Sequence, residues 1–129
     1  MLFRCALIIL PLLASCSTAS DAASQLAGSR WTFTAIDGQP PVASRAALTI
    51  EEKRISANVG CNGLGGDLMI AANKLVTSGM ISTMMYCDGV MEQERVVSAL
   101  LGASPQYRVK DGKLTLTAPG HSAELTRVR

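Results

Sequence analysis

The sequence predicts an α+β fold: antiparallel β-strands forming a small open barrel-like sheet packed around one α-helix. Three observations predict it. Short runs of alternating apolar residues recur between turn signals, and only one segment carries a convincing helical apolar stripe. That segment falls after most of the strands and before the last two or three. Antiparallel strands curled around a single helix bury the stripe and protect most strand edges.

The elements follow in order. Trp31-Thr32-Phe33-Thr34-Ala35-Ile36 reads as a first strand, Asp37-Gly38 with Pro40-Pro41 as a turn, and Ala46 to Glu51 as a second strand. Arg54 to Val59 sets Ile55, Ala57 and Val59 against Arg54, Ser56 and Asn58, one face for the core and one for solvent, with Glu52-Lys53 turning the hairpin. Gly60 to Gly66 reads as a loop, because its glycines and Asn62 tolerate positive φ. Strands are expected at Asp67 to Ala71 and Lys74 to Ser78 around a turn at Asn73, followed by an extended Met80 to Tyr86. The helix comes next, with Asp88 as its N-cap, Glu92 and Glu94 near its positive end, and Val90, Val96, Val97, Leu100 and Leu101 as its stripe before Gly102. Asp111-Gly112, the strongest short hairpin signal in the chain, joins Gln106 to Lys110 with Lys113 to Thr117. Ser122 to Val128 makes the last strand after Pro119-Gly120.

The segment before these elements carries an address. Met1 to Arg4 is basic, Cys5 to Leu13 is apolar apart from Pro11, and Ala14 and Ser15 are small, the three parts of an export signal over 1–15. The apolar run is about nine residues, far short of a membrane-spanning helix. Leu13-Ala14-Ser15-Cys16 resembles the bacterial lipobox, which implies diacylglycerol on the Cys16 thiol, cleavage before it and stable attachment to a membrane. Ser17 stands where an aspartate typically retains lipoproteins on the inner membrane, so the resemblance implies an outer-membrane lipoprotein facing the periplasm. Residues 16–28, rich in Ser and Ala, read as a tether, and 29–129 as the folded domain.

Of twelve Lys and Arg, Arg4 leaves with the signal, so eleven remain against ten Asp and Glu. The basic residues are dispersed among acids, which excludes the clustered face that nucleic-acid binding calls for.

Two segments around cysteines are distinctive: Gly60-Cys61-Asn62-Gly63-Leu64-Gly65-Gly66, and Thr83-Met84-Met85-Tyr86-Cys87 followed by Met91-Glu92. With Trp31 opening the first strand, they resemble the signature of the META domain, the HslJ-like family of small secreted and lipid-anchored proteins. The matching positions are Trp31, Gly60, Cys61, Asn62, Gly66, Thr83, Met85, Cys87 and Glu92. Phe33 stands where a leucine is common, and Leu68 where the family often has an aromatic. The resemblance implies a non-enzymatic envelope protein without a cofactor, associated with heat-shock or envelope stress and with sensitivity to antibiotics such as novobiocin.

Cysteine arithmetic leaves one possible pair. Cys5 departs with the signal and Cys16 is acylated, so Cys61 and Cys87 remain in an oxidising compartment. A disulfide between them constrains the unfolded chain by roughly 3 kcal/mol; two buried free thiols are the other reading. Gly60 to Gly66 lacks the Lys-Ser or Lys-Thr ending and following helix of a phosphate-binding loop. One histidine, His121, is too few to complete a zinc site with two cysteines, and it reads as a solvated turn residue. Glu92 and Glu94 lie two apart on a helix and point away from one another, which suits helix-start electrostatics better than acid/base chemistry. Met80, Met84, Met85 and Met91 read as core filler against the helix, with a hydrophobic groove for lipid or peptide as the sharper alternative.

Three functions are therefore in play. The first is a lipid-anchored, monomeric binding or structural domain that meets the membrane through Cys16 and has an unidentified protein or lipid partner. The second is a carrier or assembly chaperone with an open apolar cavity for acyl chains or an apolar peptide. The third is an enzyme or redox sensor, which requires a reactive thiolate at Cys61 or Cys87.

Overall fold

In the computed structural model, which describes residues 23–129, the alternating segments become eight strands and one main helix: β1 (Ser29–Ile36), β2 (Ala47–Ile50), β3 (Arg54–Asn58), β4 (Gly63–Ile70), β5 (Leu75–Ser82), α1 (Met91–Gly102), β6 (Gln106–Lys110), β7 (Lys113–Ala118) and β8 (His121–Arg127). All strand pairs are antiparallel, in the order β5-β4-β3-β2-β1-β8-β7-β6, a sheet curled into a half-barrel. Period-two burial sets the registers. Trp31 and Phe33 point inward, pairing with β8 slips between Phe33 and Ala35, and after this bulge Ile36 also reaches the core. Asp111 and Gly112 both adopt positive φ, 52° and 72°, as a tight two-residue hairpin requires.

The two edges of the sheet meet at one corner and part elsewhere. There the Leu75 amide donates to the Pro105 carbonyl at 2.9 Å, the Tyr107 amide to Asn73 at 3.0 Å and the Thr77 amide to Ser104 Oγ at 3.0 Å. The Tyr107 hydroxyl donates to the Ala71 carbonyl at 3.3 Å, and burial pushes this phenol above its ordinary pKa. Helix α1 lies where the edges part, burying Val96, Val97, Leu100 and Leu101 against the interior. Trp31, Phe33, Leu48, Ile55, Leu114 and Leu116 fill the barrel from the sheet side.

Four sequence expectations change. Residues 23–26 are helical and Leu26 is fully buried, so the tether expected over 16–28 ends earlier: Leu26 supplies apolar surface that the core takes up, and Arg127 donates to the Gln25 carbonyl at 3.0 Å. The signal segment and Cys16 lie outside the described residues. Gly63 to Gly66 is strand rather than loop; the glycine that its packing demands, Gly66, answers to β5 and not to a turn. Asp88 does not cap α1; Cys87 to Val90 form a turn with Gly89 at φ 80°, and Val90 takes the N-cap position without a side-chain cap. Met84 and Met85 do not fill the core, being 94% and 57% exposed, and Tyr86 beside them is 79% exposed.

Candidate functional site

At the end of the barrel where β3 passes into β4, one asparagine organises three segments. Asn62 is buried, and its side chain uses its full hydrogen-bonding capacity. Nδ2 donates to the Met85 carbonyl at 2.9 Å and to Glu94 Oε2 at 3.1 Å, while Oδ1 accepts from Thr83 Oγ1 at 2.9 Å and the Met85 amide at 2.7 Å. The Asn62 amide donates to Glu94 Oε1 at 3.2 Å, so one residue grips both oxygens of a carboxylate that is only 5% exposed. Thr83 Oγ1 in turn accepts from the Gly63 amide at 3.1 Å. Thr83 and Met85 thus enter through a hydroxyl and a backbone, which leaves the Met85 side chain free to face solvent.

The Cys61–Cys87 disulfide ties the same two segments covalently, with Cα atoms 5.8 Å apart. It flanks the hydrogen bonds: Cys61 precedes Asn62, and Cys87 follows Met85 by two residues. Two glycines let neighbouring segments approach closely. At Gly60, φ is 125° and a Cβ would lie 2.6 Å from Ala43 Cβ, so the residue meets both a conformational and a packing demand. At Gly66 a Cβ would lie 2.8 Å from the Ser78 carbonyl oxygen and 2.5 Å from Met80 Sδ, where β5 bulges over β4 between Ser78 and Ile81.

The nine motif positions therefore separate. Gly60, Cys61, Asn62, Thr83, Met85 and Cys87 converge here, and Gly66 sits under the neighbouring bulge. Trp31 lies apart in the core, its indole N–H donating to Ser29 Oγ at 2.7 Å with the Arg127 guanidinium 5.7 Å from the ring centroid. Glu92 faces solvent and pairs with Arg95. Hydrogen bonding to Arg95 lowers the Glu92 pKa and raises that of Arg95, though an exposed pair of this kind adds little stability. Sequence reasoning missed the structural roles of Gln93 and Glu94, the two residues after Glu92. Glu94 grips Asn62, and Gln93 clamps the preceding loop, accepting from the Val42 amide at 2.7 Å and donating to the Pro40 carbonyl at 2.8 Å. The only local sign of these roles is the polar run Glu92-Gln93-Glu94-Arg95 at the helix start, which does not by itself say which residue turns inward.

Segment 82–86 stands clear of α1, and between them runs a groove of about 700 Å³ with mostly apolar walls. Met84, Met85 and Tyr86 line one side, and Met91, Arg95 and Ala99 the other, with Asn62 and Glu94 at its floor. Its side chains are suited to holding apolar matter. The two sulfurs are bonded to each other, so neither serves as a thiolate nucleophile or metal ligand in this state. Among the described residues no three of His, Cys, Asp and Glu converge as a metal site, and no helix is long and apolar enough to cross a membrane. Elsewhere His121, expected in a solvated turn, begins β8 and places Nδ1 2.7 Å from Asp37 Oδ2. The Ser122 amide, donating to Asp37 Oδ1 at 2.9 Å, and then His121 hold the Asp37 carboxyl below its ordinary pKa.

Comparison with solved structures gives two likenesses, both showing the fold alone. An NMR structure of a protein 22% identical superposes with a TM-score of 0.71 over 81% of this chain and 92% of its own. An NMR structure of a protein from Burkholderia xenovorans, 19% identical, gives 0.62 over 93% of this chain and 99% of its own. No curated protein matches the sequence. A family model described as META domain matches residues 24–129, starting within the helical residues that carry buried Leu26. With its half-barrel, its single main helix and the bonded pair between the two motif segments, the chain belongs to the META domain family.

Proposed function

We propose that this protein is a non-enzymatic, lipid-anchored module of the cell envelope that acts by binding apolar matter in the groove between segment 82–86 and α1. One observation carries this reading. Met84 and Tyr86 are held outward by a disulfide and a saturated buried asparagine, whereas apolar side chains on an unbraced segment would collapse onto the domain. Family membership and the lipobox-like Leu13-Ala14-Ser15-Cys16 support attachment through acylated Cys16, with the domain on the periplasmic side of the outer membrane. On this reading the protein contributes to tolerance of envelope and heat stress and of antibiotics such as novobiocin. The carrier reading also draws on the groove, but it moves the ligand from the barrel interior, which side chains occupy, to the surface.

Two variants in a host lacking the native gene test this. Cys16→Ser should shift the protein from the membrane fraction to the soluble fraction. Met84→Asp with Tyr86→Asp should fail to restore growth under heat or novobiocin while the protein accumulates at the normal level. Full rescue by the double variant would overturn the groove's role.

A further inference from the structure

The free half of β5 runs into the groove at its last residue, Ser82, and that juxtaposition narrows the ligand. β5 pairs with β4 on one side, and on the other only its start meets the chain, through the Lys74–Gln106 bridge and the bonds of Leu75 and Thr77 to Pro105 and Ser104. Among the described residues no strand lies beyond Ser78 to Ser82 on that side. Exposed strand edges are usually guarded by charge or proline. Here Leu75 to Cys87 contains neither, and although β5 bulges between Ser78 and Ile81, the stretch after the bulge is left open with Ile81, Met84 and Tyr86 exposed.

We propose that this edge and groove form a docking site for an extended apolar polypeptide segment that carries a basic side chain, added as a strand beside β5. This rests on the groove-binding reading above and goes further by naming the occupant. An acyl chain fills an apolar groove but cannot satisfy a row of backbone donors and acceptors; an extended backbone does both. Charge complementarity supplies the basic residue. Glu92, Glu94 and Arg95 border the groove; Arg95 is already engaged by Glu92, and no Lys, Arg or His pairs with Glu94 among the described residues. Two carboxylates thus border the groove against one guanidinium, and a Lys or Arg of the partner would rest beside the exposed one, Glu92. The site is also pre-organised, since the Asn62 network and the disulfide hold segment 82–87 before any ligand arrives.

The test uses the full chain in phosphatidylethanolamine nanodiscs and fluorescein-labelled synthetic nonapeptides that alternate apolar and small polar residues. One peptide carries a Lys, one a Glu in its place, and one the Lys with alternate backbone amides N-methylated. Anisotropy titration should show saturable binding of the Lys peptide, weaker by at least about tenfold on N-methylation and on Met84→Asp. Glu92→Lys should reverse the preference between the Lys and Glu peptides. Equal binding of the N-methylated peptide would overturn strand addition while leaving an apolar groove. Bound lipid without peptide binding would do the same. Peptide binding indifferent to both Met84→Asp and Tyr86→Asp would overturn the groove reading as well. A self-associated chain whose dimer dissolves on Met84→Asp would assign the edge to a second copy and overturn the proposal.

Discussion

Replacing Asn62 with alanine should be among the most costly single substitutions outside the apolar core. The side chain makes four hydrogen bonds: two to Met85, one to Thr83 and one to Glu94. They are unequal. Loss of a bond to a buried charged group is worth roughly 1.5–3 kcal/mol, and Glu94 would keep only the Asn62 amide as donor. The Met85 amide and carbonyl lie on a half-exposed segment where water can replace the asparagine, so each contributes about 0.5 kcal/mol, and the exposed Thr83 hydroxyl almost nothing. The total is about 3 kcal/mol. With a urea m value of about 1.5 kcal/mol per molar, the unfolding midpoint should fall by about 2 M at unchanged m. A fall below about 0.3 M, the size expected of an ordinary surface substitution, would refute the argument that Asn62 is the organising residue.

Other consequences follow from the same geometry. Gly66→Ala places a methyl group against the Ser78 carbonyl and should cost about 1–3 kcal/mol by the same urea titration, whereas Gly63→Ala, whose added Cβ meets nothing within 4 Å, should cost under about 1 kcal/mol. Reduction of Cys61–Cys87, or Cys61→Ala with Cys87→Ala, should lower stability by roughly 3 kcal/mol, and thermal unfolding with and without reductant will measure it. The Asp37 carboxyl titrates below its ordinary value of 3.8, so its contribution is present above that value and is lost as pH falls through the folded-state value; Asp37→Asn should flatten that acid limb in a stability–pH profile.

The sequence made the architecture legible wherever a local signal coincided with the global demand. Alternation of Ile55, Ala57 and Val59 marks β3, and Asp111-Gly112 marks the hairpin between β6 and β7. It misled wherever a residue answers to something distant. Glycine at Gly63, Gly65 and Gly66 looks like a turn because its freedom is local, but Gly66 is required by the backbone of β5 crossing above it. Asp88 carries the right side chain for an N-cap, yet it lies inside the Cys87 to Val90 turn, where Gly89 at positive φ separates it from the helix. Met84 and Tyr86 have core-like side chains, and their outward placement is legible only once Asn62 is seen holding the backbone between them. Among the glutamates, helix position alone did not distinguish exposed Glu92 from buried Glu94, since the difference is which one meets Asn62. The motif itself was legible as a family signature, while the division of labour within it was not.

The groove and its function depend on segment 82–87 being ordered while its apolar side chains face solvent. The amide of Met85 reports this directly, because it donates to Asn62 Oδ1 at 2.7 Å from a residue whose surface is more than half exposed. Native-state hydrogen exchange should show that amide protected to a degree approaching the central strands, with protection lost in Asn62→Ala. Exchange at the rate of an unstructured peptide in the oxidised wild-type protein would contradict the account.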